Sequence, residues 1–208
     1  MQWSENIIIA DADYIDRVAF NLSVNFERMI GRRIPKADMA QWLICVALDG
    51  GMRPVPQPST LPSGGAGGGV SQVVLIHRKE NDRLENFSPS DYATELDGQA
   101  FKDTLGEFLI SALPVEGMVS QEDFFLDILG TVCQQEGVKR IMVVPNAEEG
   151  TLYDDIRETL HRLDAQTEDK RITVFTMEPR QGGNFRQELL GYSLMAALGI
   201  RGEEIRES

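Results

Sequence analysis

Two aspartates close the first apolar stretch of the chain, in Ile7-Ile8-Ile9-Ala10-Asp11-Ala12-Asp13, and a helical pattern follows at once. In an open α/β sheet, ligands bind beyond the carboxyl ends of the strands. A carboxylate there can hold a hard divalent cation such as Mg²⁺ or Mn²⁺, which takes several oxygen ligands and activates a water for phosphoester hydrolysis. Asp11 and His77 are the candidate catalytic groups, the latter because it ends a later apolar stretch and an imidazole there can move protons. Asp11, Asp13, Glu148 and Glu178 are the candidate metal ligands, each following an apolar strand pattern. Asp13 also suits a helix N-cap, with Asp16 as the acidic partner of a capping box, which leaves Asp11 as the carboxylate with no structural task.

A second candidate lies in Glu178-Pro179-Arg180-Gln181-Gly182-Gly183-Asn184. Backbone N–H groups at a helix start, with Gly182 and Gly183 permitting close approach and Arg180 beside them, can hold a phosphate or a carboxylate. The competing account is a simple turn with Asn184 as N-cap, and the stretch matches neither GxGxxG nor GxxxxGK[ST]. The run Gly64 to Gly69 precedes a strand rather than a helix, so it reads as a loop and not a phosphate cradle. Two histidines and two scattered cysteines, Cys45 and Cys133, give no zinc spacing and suggest free thiols.

These groups need elements to position them. Residues 6–11 read as a buried strand. Ile15, Val18, Ala19, Leu22, Phe26, Met29 and Ile30 then recur at helical spacing until Gly31. Pro35 opens a second helix to about Leu48, apolar almost all round. Residues 50–71 form a Pro- and Gly-rich flexible loop, and residues 80–106 an irregular excursion with a helix start near Ser88-Pro89-Ser90-Asp91 and a tight turn at Asp97-Gly98. Strands are expected at 70–76, 107–115, 139–145 and 171–177. Helices follow from Ser120 to about Glu136, through Leu152 to Leu163, and from Phe185 to Leu198. The alternation of strand and helix predicts one α/β domain over 1–208: a three-layer α/β/α sandwich, Rossmann-like or PIN-like, on a mostly parallel sheet of about five strands.

The opening strand with Asp11-Ala12-Asp13 and its helix resembles the start of PIN and NYN-type metal-dependent ribonucleases, over about the first thirty residues. That resemblance implies a three-layer α/β fold with acids at one sheet edge and a Mg²⁺- or Mn²⁺-dependent phosphoesterase or nuclease using Asp11. NYN-like proteins carry a further Asp-containing turn after a later strand, and Val144-Pro145-Asn146-Ala147-Glu148-Glu149 departs from it. A haloacid-dehalogenase-like reading also starts from a strand and DxD, but Asp154-Asp155 falls within a helix. The whole chain is more similar to an uncharacterised bacterial α/β family without assigned activity.

A net charge of −13 over 208 residues repels phosphate backbones and disfavours nucleic acid as a partner. No apolar run reaches the length that spans a bilayer, and no basic-then-apolar leader opens the sequence, so a cytoplasmic address is expected. The apolar helices at 36–48 and 185–198, with no complete catalytic set, predict an acidic, non-catalytic protein that associates with itself, possible dimer included, or with a protein partner. Metal chemistry at Asp11 is the alternative, nucleotide or anion binding at 178–184 the second, and no cofactor is certain.

Overall fold

The computed structural model describes residues 2–54 and 69–206. The Pro/Gly-rich loop expected at 50–71 falls mostly outside the described residues. Nine strands and seven helices order the rest: β1 Asn6–Asp11, α1 Ala12–Ile30, β2 Ala37–Asp38, α2 Met39–Asp49, β3 Val70–Arg78, β4 Phe87–Ser88, β5 Ala100–Asp103, β6 Gly106–Val115, α3 Gln121–Cys133, β7 Arg140–Val144, α4 Leu152–Arg162, α5 Asp164–Thr167, β8 Arg171–Thr176, β9 Arg186–Leu189, α6 Leu190–Ala197 and α7 Gly202–Arg206. A single π-turn, Tyr92–Leu96, lies between β4 and β5.

Seven strands make one sheet in the order β5-β6-β3-β1-β7-β8-β9. All neighbours are parallel except β5 and β6, an antiparallel edge pair. The sheet is larger than the five strands expected because both edges carry a short extra strand. Residues 186–189 pair with Thr173 to Thr176, so the last helix starts at Leu190 and not at Phe185. A pairing partner distant in sequence decided that segment, since Arg-Gln-Glu-Leu has no strand pattern of its own. Pro35 likewise does not open α2: Ala37–Asp38 pairs with Phe87–Ser88, and the Asp38 carboxylate caps the helix by accepting from Gln41 N.

Apolar side chains fill both faces of the sheet. Along β1, Ile8 and Ala10 join a cluster with Trp42, Phe87, Phe108 and Leu194, while Ile7 and Ile9 join one with Phe125, Leu129, Ile156 and Leu160. Strand alternation sends successive residues to opposite faces, so an unbroken Ile-Ile-Ile run is what a doubly covered parallel strand requires. β6, one strand from the edge, instead alternates buried and half-buried residues. Each fully buried isoleucine contributes roughly 1.5–3 kcal/mol relative to exposure. Among the described residues no helix is long and apolar enough to cross a membrane.

β1, β3 and β6 step to one side of the sheet, and the chain then returns across it to place β7 on the other side of β1. Crossover direction therefore reverses between β1 and β7, which opens a crevice beyond their carboxyl ends. Close packing at the opposite end is tight. A Cβ added to Gly50 would lie 2.4 Å from Cγ of the fully buried Met142. Gly50→Ala is expected to lower stability by roughly 1–3 kcal/mol through overpacking, measured by urea denaturation; an unchanged midpoint would show that Met142 yields freely.

Candidate functional site

Asp11 ends β1 still paired in register with Ile76 of β3, and Ala12 is already helical. No loop intervenes, so the residue at the strand end must also serve as the helix cap. Its backbone takes extended dihedrals and its Oδ1 accepts from Tyr14 N at 2.9 Å. The same oxygen accepts from Gln121 Nε2 at 2.9 Å, which ties the start of α3 to the start of α1. This reverses the roles read from the sequence: Asp11 is the N-cap and Asp13 is not. Only 6% of Asp11 is exposed, and burial pushes its carboxyl pKa up to about 7, opposed by the Tyr14 hydrogen bond. The neighbouring Asp13 adds to the rise, and Arg17 and Arg78 oppose it.

Asp13, the second residue of α1, holds the chain that leaves β3. Its Oδ2 accepts from Arg78 N at 2.8 Å and faces Arg78 Nε at 3.5 Å, while its Oδ1 accepts from Asn81 Nδ2 at 2.5 Å. Asp16 is no capping-box partner. It accepts from Asn86 N at 2.7 Å and from Asn86 Nδ2 at 3.1 Å, binding the excursion further along. His77 is buried and stacks on Tyr92 with centroids 3.7 Å apart. Its Nδ1 lies 3.0 Å from the Arg78 carbonyl, which only accepts, so Nδ1 carries the hydrogen.

The four candidate metal ligands do not converge. Asp13 lines a cleft of about 300 Å³ on the β3 side of α1, together with Asp16, Arg17, Arg78 and Tyr92. Glu148 and Glu178 line a different one, about 220 Å³, with Arg180 and Thr176. Asp11 is buried between them. Among the described residues no group of three or more His, Cys, Asp or Glu is placed to hold a metal ion. The residues present therefore do not fit the divalent-cation set that the N-terminal resemblance implies.

The 178–184 segment also departs from its expected geometry. It leads into β9 and not into a helix, so no helix N-terminus supplies N–H groups there. Gly182 and Gly183 do adopt positive φ, 80° and 112°. Their surroundings are filled by the chain itself: the Gly182 carbonyl accepts from Gln187 Nε2, the Gln181 carbonyl from Arg157 Nη1, and Arg180 N donates to Gln187 Oε1. The Arg180 guanidinium donates to the Ala147 carbonyl and lies over the Tyr153 ring. Asn184 is no cap; its Nδ2 donates to the Leu160 carbonyl and to Asp164 Oδ1. Both cysteines are free, and burial pushes the Cys133 thiol up to about 12.

Two buried tyrosines flank Asp11: the Tyr14 hydroxyl faces the Glu148 carboxylate, and the Tyr92 hydroxyl has no hydrogen-bond partner among the described residues. Burial raises both pKa values first, with the Glu148 carboxylate adding for Tyr14 and Asp13, Asp16 and Asp11 adding for Tyr92. Tyr92, Asn81, Asn86 and Gln121 carried no spacing signal, because they enter the site from the π-turn, from loops and from the first turn of α3.

The raised Asp11 carboxyl makes a pH prediction. In the unfolded chain it ionises near its ordinary value of 3.8, and in the folded protein near 7. Between these the folded state holds the extra proton, so its contribution to stability falls as pH rises through that window. Asp11→Asn keeps an acceptor for Tyr14 N and removes the titration. Urea unfolding free energies of wild type minus variant are expected to fall by up to about 1.4 kcal/mol per pH unit across the window; parallel pH profiles would refute the assignment.

No curated protein and no solved structure matches the chain. A family model does match, over residues 1–205, and the chain belongs to that family, a family of unknown function (DUF6621).

Proposed function

We propose that this chain is a non-catalytic α/β protein, a three-layer α/β/α sandwich of Rossmann-like strand order, that acts by association with a second copy of itself. The observation that carries this reading is the outer face of the α2 and α6 pair. These helices pack together, and their inward residues, among them Trp42, Leu43, Val46, Leu190 and Leu194, are fully buried. Apart from Gln41, their outward positions are apolar: Cys45 half-buried and Leu48 exposed on α2, and Tyr192 and Ala196 exposed on α6, with Ile44 and Met195 half-buried against the core. Asp49, at the very end of α2, is the sole charged residue in either helix.

In a chain of net charge −13, a face of two adjacent helices with Asp49 as its single charge is where a second copy can approach against few opposing carboxylates. A two-fold contact would place the same face on both partners. Tyr192, 70% exposed, supplies the large amphipathic side chain that interface centres favour. The carboxylates of the sheet edge fit this non-catalytic reading, since Asp11, Asp13 and Asp16 each hold part of the chain.

Sedimentation velocity at micromolar concentration is expected to show a dimer, and Tyr192→Glu or the exposed Leu48→Glu a monomer with unchanged circular dichroism. A wild-type monomer across the accessible concentration range would overturn the proposal. The metal-dependent phosphoesterase reading has one observation in its favour, the place of Asp11 at the reversal of strand order. It requires a Mn²⁺-induced rise in melting temperature that disappears in Asp11→Asn. The expected result is the same small response in both proteins.

A further inference from the structure

The cleft beside α1 brings a buried, unsatisfied polar atom to an opening to solvent. Tyr92 is 3% exposed, lines the cleft, and its hydroxyl has no hydrogen-bond partner among the described residues. An unmade hydrogen bond of this kind costs about 1–3 kcal/mol, so a native structure that keeps one calls for an explanation. The ring is held in place by its stack on His77, which is itself fixed to the Arg78 carbonyl. The hydroxyl therefore cannot easily swing towards water.

The charges around it have a sign. Five carboxylates line the cleft, Asp13, Asp16, Glu80, Asp82 and Glu85, against three guanidinium groups, an excess of two negative charges. All three arginines are engaged: Arg17 with Glu149, Arg78 with Asp13, and Arg83 with Asp82. Neither Glu80 nor Glu85 has an ion-pair partner among the described residues. Asp13 and Asp16 each accept N–H donors already, yet every carboxylate oxygen has a second lone pair. Such oxygens suit further N–H donors. They suit a divalent cation poorly, because it needs several oxygens turned towards one point.

We infer that this cleft binds a small organic cation bearing primary ammonium groups, a linear polyamine, with one ammonium donating to the Tyr92 hydroxyl and the Asp16 carboxylate and another neutralising Glu85. The inference stands apart from the proposed association, because the cleft lies at the carboxyl end of the sheet and includes no residue of α2 or α6.

Spermidine is the probe, followed by calorimetry and thermal melting of the full-length protein, with magnesium chloride at matched ionic strength as the control. A saturable 1:1 heat and a rise in melting temperature beyond that given by magnesium are expected. Tyr92→Phe removes only the hydroxyl, so it is expected to fold with equal or greater stability and to bind at least tenfold more weakly. Glu85→Gln, at an exposed position, is expected to weaken binding several-fold. Absence of saturable heat, equal stabilisation by magnesium, or undiminished affinity in Tyr92→Phe would each overturn the assignment.

Discussion

The direct join between β1 and α1 is the constraint on which the rest of the structure depends. Asp11 is the last paired residue of the central strand and Ala12 the first of a 19-residue helix. A helix start leaves N–H groups that need acceptors, and here no loop residue can provide one. The strand's own terminal side chain must do so, from a position almost closed to water. A carboxylate suits the geometry of an N-cap but is costly to ionise in that place, which is why its proton is held to about pH 7. Gln121 answers part of the cost with a second N–H, and in doing so fixes where α3 begins.

From that join the acidic residues of α1 work outward as fasteners. Asp13 takes hold of Arg78 and Asn81, and Asp16 takes hold of Asn86, so the chain after β3 is pinned along one flank of the helix. The excursion continues by the same means. Asp91 caps the π-turn, Glu95 folds back to accept from Ser90 N and Asp91 N, and Asp97 accepts from Ala112 N on β6. Carboxylates are good at this because one group accepts from two or more N–H donors, and hydrogen bonds to a charged acceptor are about twice as strong as neutral ones. Part of the chain's acidity thus has an internal structural use.

The class of fold was legible because its strands are buried on both faces. Ile7-Ile8-Ile9 and Ile141-Met142-Val143-Val144 announce parallel strands by composition alone, and the caps at Gly31 and Ser120 mark helix ends with local chemistry. The edge strands were not legible. Phe185 to Leu189 runs straight into the apolar Leu190–Ala197 helix, so the helical pattern reads as beginning five residues early, and only pairing with β8 corrects it. The site was misread for a related reason. Asp11 and Asp13 are both good N-cap residues, and the choice between them depends on how far β1 stays paired to β3, a tertiary fact that no local spacing encodes. Tyr92 was invisible as a site residue because its neighbours Asp13 and Asp16 lie more than seventy positions away in the chain.

The distribution of charge links these observations. With 33 acidic against 20 basic residues, every exposed face tends to repel its own copy. Two regions escape that average in opposite senses. The outer face of α2 and α6 carries a single charge, Asp49, so contact there meets little like-charge repulsion and gains from burying apolar surface. The cleft beside α1 carries more negative charge than its arginines balance, so its field is strongest for a cation that reaches the orphan hydroxyl. One face is thereby suited to a second copy and the other to a small cation, and neither demands that bonds be made or broken.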